Sequence, residues 1–140
     1  MASEDTLIGN EFRFQVGDGA SPEVFVDMCA VFDFGAVGEE KPLVDVTTLC
    51  DNARTYRNGL ADGVEIPLQV NFIPGDAQIA ALYADYKANT IRNFQVVTTD
   101  SPADMFQFAA TIRAWKLGAP IGERSNMSFT LKISGEVVWV

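Results

Sequence analysis

Residues 44–72 read VDVTTLCDNARTYRNGLADGVEIPLQVNF, and the change of rhythm inside that stretch decides the fold. Its second half alternates strictly. Val64, Ile66, Leu68, Val70 and Phe72 fall on one face, and Glu65, Pro67, Gln69 and Asn71 on the other, which is the period of a half-buried strand. Its first half mixes small, polar and acidic residues with isolated apolar ones and keeps neither a helical nor a strand period. The whole of Asp33–Asp62 reads as one long irregular loop, with a helical turn expected within Asp51–Tyr56 under an Asp51 cap. Loops of that length inside a compact domain mark function or disorder. Pro67 removes a ladder donor, so its strand is expected to be an edge or a bulge at that point.

Outward from this stretch, Glu11–Val16 alternates as a short strand, and Val24–Phe32 reads as a second strand that is apolar on both faces. Downstream, Asp76–Ala88 carries the one helical pattern. Asp76 can cap it, Ile79, Leu82, Tyr83 and Tyr86 form its apolar stripe, and Asn89 suits a left-handed end. Phe94–Thr99 is a strand closed by the Asp100-Ser101-Pro102 turn signal. Met105–Trp115 is the longest strand, with Phe106, Phe108, Ala110, Ile112 and Ala114 sharing one face, and it is either central in its sheet or an edge meant to be extended. Met127, Phe129, Leu131 and Ile133 alternate inward, and Glu136–Val140 is a final strand or an arm. The sum predicts a single mainly β domain over 1–140. It is an antiparallel sandwich or barrel of about six or seven strands flanked by one α-helix, with a long irregular loop.

Composition narrows the chemistry. There is no histidine among the 140 residues, so the commonest general base and metal ligand is missing, and no catalytic site, metal site or cofactor is expected. Cys29 and Cys50 form no CxxC pair and are expected as buried or half-buried free thiols. No apolar run reaches the roughly 18 residues of a membrane helix, so membrane insertion is not expected. The start, MASEDTLIGNEF, has no basic flank or apolar stretch of a secretory signal, which points to synthesis in the cytoplasm. The net charge is −9: residues 1–60 hold eleven acids against four bases, and residues 61–140 eight against six. Without a cluster of cations to neutralise phosphates, such a surface repels nucleic acid.

Several phrases of the chain, in order, resemble the tail tube proteins of lambda-like siphoviruses. They are Asp45-Val46-Thr47-Thr48-Leu49, then Asp51 and Ala53-Arg54, then Gly59-Leu60, Asp62-Gly63 and Glu65-Ile66. Asn71-Phe72 with Pro74-Gly75-Asp76 before a short helix, and Lys132-Ile133-Ser134-Gly135 near the end, fit the same pattern. The resemblance implies a virion tail protein that forms hexameric rings stacking into a hollow tube, in a fold shared with contractile-tail tubes and the type VI secretion tube. It further implies contacts with the tape measure protein and with tail tip or terminator proteins, and DNA passing through without specific binding. Residues 45–60 would make the contacts between rings, with Asp45, Thr47, Thr48, Leu49, Asp51, Arg54, Tyr56, Arg57 and Leu60 as the interface. Gln69, Asn71, Gln107, Thr111, Ser128 and Thr130 are candidates for the lumen wall. The competing reading from the residues alone is a monomeric β-barrel that binds a small molecule or peptide among its aromatic side chains.

Overall fold

The computed structural model describes residues 12–19, 21–99 and 104–140. Glu11 and the Asp100-Ser101-Pro102 turn lie outside them. Among the described residues, twelve strands and one helix follow in chain order. They are β1 (Phe12–Gly17), β2 (Phe25–Asp27), β3 (Val31–Phe34), β4 (Glu39–Glu40), β5 (Leu43–Asp45), β6 (Tyr56–Asn58), β7 (Asp62–Gly63), β8 (Glu65–Asn71), α1 (Ala77–Ala88), β9 (Ile91–Thr98), β10 (Met105–Gly118), β11 (Asn126–Ile133) and β12 (Val138–Trp139). The principal sheet is antiparallel and runs β2-β1-β9-β10-β11-β8-β3, with β12 on the side of β10.

That sheet folds over on itself. Phe14 of β1 meets Phe34 of β3 with ring centroids 5.5 Å apart, although the two strands sit at opposite ends of the strand order. Two four-stranded layers result, β2-β1-β9-β10 and β10-β11-β8-β3, with β10 long enough to belong to both. Between them lie Ile66, Leu68, Val70, Phe94, Phe108, Phe129 and Leu131, all buried, so the alternation read from β8 and β11 is the core pattern. Helix α1 fills one open side. The Asp76 carboxylate accepts from the Gln78 N–H at 2.8 Å, and Asn89 ends the helix at φ 57°. Ile79 and Leu82 enter the core, while Tyr83 stands edge-on to Trp115 at 5.5 Å.

Several expectations are corrected here. Val24–Phe32 is not one strand. It breaks at Met28–Ala30, where Met28 N–H still bonds to Phe14 and the Ala30 carbonyl already accepts from Asn71, so the chain turns the corner from one layer to the other. Val24 and Val26 remain exposed on that outer strand. The Met105–Trp115 strand is central and extends to Gly118, but a bulge at Arg113 inverts its later alternation. Ala114 pairs with outward-facing Thr130, and Trp115, not Ala114, faces inward beside Phe129. Cys29 and Cys50 are both exposed, one on the corner turn and one on a loop tip, because neither position faces the core. Pro67 sits just beyond the last β3 pair, Phe34 with Leu68, and is not left as a free edge: its carbonyl accepts from the Gly35 N–H at 2.8 Å, and Gly35 packs against the proline ring where a side chain would collide.

One largely buried polar cluster ties helix α1 to the β2-β1-β9-β10 layer. Asp85 on α1 receives Arg92 of β9 through two bonds, one of 2.9 Å from Nη2 and one from Nε, and Arg92 Nη1 donates to the Gly17 carbonyl at 3.1 Å. On the outer face of that same layer, a row of polar side chains crosses four strands. Gln107 donates to Gln95 at 3.1 Å, Gln95 donates to Gln15, and Gln15 donates to Asp27 at 2.6 Å. The Gln15 hydrogen bond, followed by that from Arg13, holds the Asp27 carboxyl below its ordinary 3.8. A lowered pKa means that this carboxylate stabilises the fold above the unfolded value, and that the contribution disappears as pH falls through the folded one. Asp27→Asn is therefore expected to flatten the loss of melting temperature between about pH 5 and about pH 3, by the equivalent of a few tenths to 1 kcal/mol for this partly exposed group. Thermal melts of both proteins across that range check it.

Candidate functional site

The loop of residues 33–62 is not irregular, and Asp51 caps no helix. The segment is a long hairpin arm. At its root β4 pairs with β7, Glu39 opposite Gly63, and further out β5 pairs with β6, Leu43, Val44 and Asp45 opposite Asn58, Arg57 and Tyr56. Gly63 lies so close to Ile133 that an added Cβ would collide with that side chain, which fixes the root against β11. The sequence hid the hairpin because its paired runs are three residues long and ten residues apart, with no two-residue turn signal.

The tip is held by its own polar side chains. Thr47 N–H donates to Asp45 Oδ1 at 3.0 Å, Thr55 N–H donates to the Thr47 hydroxyl at 2.8 Å, and Thr48 N–H donates to Asp51 Oδ2 at 2.8 Å. Arg54 donates to Asp45 Oδ2 at 3.3 Å. Hydrogen bonding from Thr47, through its hydroxyl first and its backbone N–H second, and then from Arg54, keeps the Asp45 carboxyl below its ordinary value. Asp45, Thr47, Thr48, Asp51 and Arg54 thus shape the tip. Leu49, Tyr56, Arg57 and Leu60 point into solvent from it and from its flanks, Leu49 at 105% and Leu60 at 90% relative exposure. Every residue from 39 to 58 is exposed.

The polar sheet face is the second feature. Gln69, Asn71, Ser128 and Thr130 lie together on the outer face of the β10-β11-β8-β3 layer, Ser128 opposite Gln69 and Thr130 opposite Pro67, with Asn126 opposite Asn71. Gln107 is not among them, since it belongs to the amide row of the other layer. Thr111 sits at the corner, paired with both Ile91 and Lys132. Asn126 and the amides Gln15 and Gln95 were not singled out from sequence, and Ala114 was placed on the inner face of its strand. The alternation of β11 could have supplied Asn126, but the bulge concealed Ala114.

A cleft of about 910 Å³ opens along the seam between the two ends of the sheet, lined by Phe12, Phe14, Val31, Phe34, Val96 and Phe106. Among the described residues, no group of three or more acids and cysteines is placed to hold a metal ion, and no helix is long and apolar enough to cross a membrane.

This two-layer fold, with a helix on its open side and a hairpin projecting from one edge, also occurs in solved structures of tails and injection systems, which share it across nearly the whole chain. The SPP1 tail tube protein aligns with a TM-score of 0.75 at 17% identity over 96% of this chain and 78% of its own. A protein in the tail of a gene transfer agent particle, solved with C6 symmetry, aligns with 0.74 at 14% identity over 96% and 99%. One from the sheath/tube terminator of the extracellular contractile injection system PVC aligns with 0.76 at 12% identity over 99% of each chain. No protein-family model matches this chain, and no curated protein matches it.

Proposed function

We propose that this chain is a structural subunit of a hollow virion tail tube, in which six copies close into a ring and rings stack through the projecting arm. The observation that carries the reading is the arm itself. Leu43, Val44, Val46, Leu49, Tyr56 and Leu60 are all exposed on it, on a segment with no core of its own. Contiguous exposed apolar surface of this kind marks a protein interface. The six-fold symmetry of the gene transfer agent tail supports a ring of six. Asp45, Thr47, Thr48, Asp51 and Arg54 would pre-shape the tip, and Leu49, Tyr56, Arg57 and Leu60 would contact the next ring.

The lumen wall in this reading is the outer face of the β10-β11-β8-β3 layer. Gln69, Asn71, Asn126, Ser128 and Thr130 are uncharged, and Lys132 on the same face is tied to Asp62, so the centre of the wall offers a passing DNA duplex little to grip. Tape measure, tip and terminator proteins would be the partners at the ends, and the working location is the virion tail. No step of this function is chemical. The seam cleft favours a second reading, a monomer that takes an apolar ligand there.

Negative-stain electron microscopy of concentrated protein, with sedimentation velocity alongside, decides between them. Rings or tubes with a central hole are expected. A particle that stays monomeric at every concentration, with the arm amides protected from hydrogen exchange, would overturn the tube reading.

A further inference from the structure

The four-stranded layer proposed as the lumen wall has two edges along which no further strand lies among the described residues, and they carry opposite charges in the same row. On one side, β10 pairs with β9 only over Met105–Thr111, so its 112–118 stretch has no strand along its outer edge among the described residues. On the other, β3 pairs with β8 alone. The register connects the two edges directly: Asp33 lies opposite Gln69, Gln69 opposite Ser128, and Ser128 opposite Lys116. The row therefore runs acid, amide, hydroxyl, ammonium across the sheet.

Neither end is satisfied within the subunit. Of the ten cations in the chain, Arg13, Arg54, Arg92, Arg113 and Lys132 make ion pairs. Lys87 lies over Tyr83 and Tyr86, and Arg124 over Phe32. Lys41 and Arg57 stand on the arm. Lys116 is thus the one cation outside the arm with no partner among the described residues, and Asp33 likewise has none. The apolar groups sort in the same way. Beside Lys116, Trp115 and Leu117 project on the core side and remain 36% and 52% exposed, while the seam cleft opens on the core side of Asp33 behind Phe34.

We infer that these edges are the two halves of one contact between neighbouring copies of this chain: Lys116 of one subunit pairs with Asp33 of the next, and Trp115 and Leu117 enter the seam cleft beside it. The inference rests on the ring reading and deepens it, since a head-to-tail contact of unlike edges is the kind that closes rings. Both faces match at once, charge to charge on the outer side and apolar knob to apolar socket on the inner. A ligand-binding monomer gives no reason for a cation and an acid to stand unpaired at opposite ends of one register row.

Charge exchange tests it. Asp33→Lys and Lys116→Asp are exposed substitutions, and each should lower the yield of rings and tubes at least tenfold while circular dichroism and melting temperature stay unchanged. The double variant, Asp33→Lys with Lys116→Asp, should recover assembly to within a few-fold of the parent. Single variants that assemble like the parent, or a folded double variant that stays unassembled, would overturn the latch and leave the tube reading standing. A parent protein that stays monomeric at every concentration, with its arm amides protected from hydrogen exchange, overturns the tube reading and the latch together.

Discussion

Changing Leu49 and Leu60 together to Asp is expected to abolish tube growth and leave the subunit's melting temperature where it was. Both side chains are almost fully in water, at 105% and 90% relative exposure, so the isolated fold loses no contact when they go. Surface substitutions of that kind change stability by only about ±0.5 kcal/mol. In a stacked tube the balance differs. Burying a leucine side chain contributes about 1.5–3 kcal/mol, so two of them account for roughly 3–6 kcal/mol per subunit before any cost of burying the new carboxylates. At 1.4 kcal/mol for each factor of ten, the critical concentration for assembly should rise by about 10² to 10⁴. Sedimentation of the doubly substituted protein over a wide concentration range reads this directly. Tubes at the parent's concentration would show that the arm does not join the rings. Arg54 is a poorer choice for this test, because its bond to Asp45 shapes the tip, and replacing it alters the arm as well as the contact.

Strands whose two faces differ in polarity were legible from the chain alone. β8 and β11 could be placed residue by residue because every second side chain is apolar, and α1 because Asp76 and Asn89 punctuate it. What escaped were features that depend on a partner strand. The break at Met28–Ala30 is invisible in an apolar run, since either layer would accept those residues. The bulge at Arg113 leaves no mark in the alternation until the register with β11 is known. The arm's short β5 and β6 have no core face to impose a period, so their residues follow the needs of a surface instead. For the same reason the list of arm residues was readable as a segment, while the division between those that build the tip and those that face outward was not. Gln69, Asn71, Ser128 and Thr130 gather on one face because their strands are neighbours in the sheet. Gln107 leaves that group because β10 crosses from one layer to the other, and alternation within one strand says nothing of such a crossing.

Asp85 carried a readable signal that the helix pattern masked. It follows Leu82 by three positions on the inner side of α1, and Arg92 precedes Phe94 and Val96 on the inner side of β9, so two opposite charges were both aimed at the core. Their pairing makes Asp85→Ala the most damaging single change expected for the monomer. The Asp85 side chain is 8% exposed and that of Arg92 25%, and an arginine is basic enough to stay charged after its partner is removed. Leaving such a charge uncompensated typically costs 3–5 kcal/mol. The lower end, about 3 kcal/mol, applies here because Arg92 keeps some water and its bond to the Gly17 carbonyl. Against a total stability of about 5–15 kcal/mol, that should lower the melting temperature by about 10 °C. Replacing both partners with apolar groups of similar volume, Asp85→Leu with Arg92→Met, should recover most of the loss, because the penalty lies in the orphaned charge and not in the missing attraction. Thermal melts of the single and double variants check this. A double variant less stable than Asp85→Ala alone would mean that the bond from Arg92 to Gly17, joining β9 to β1, matters more than the ion pair.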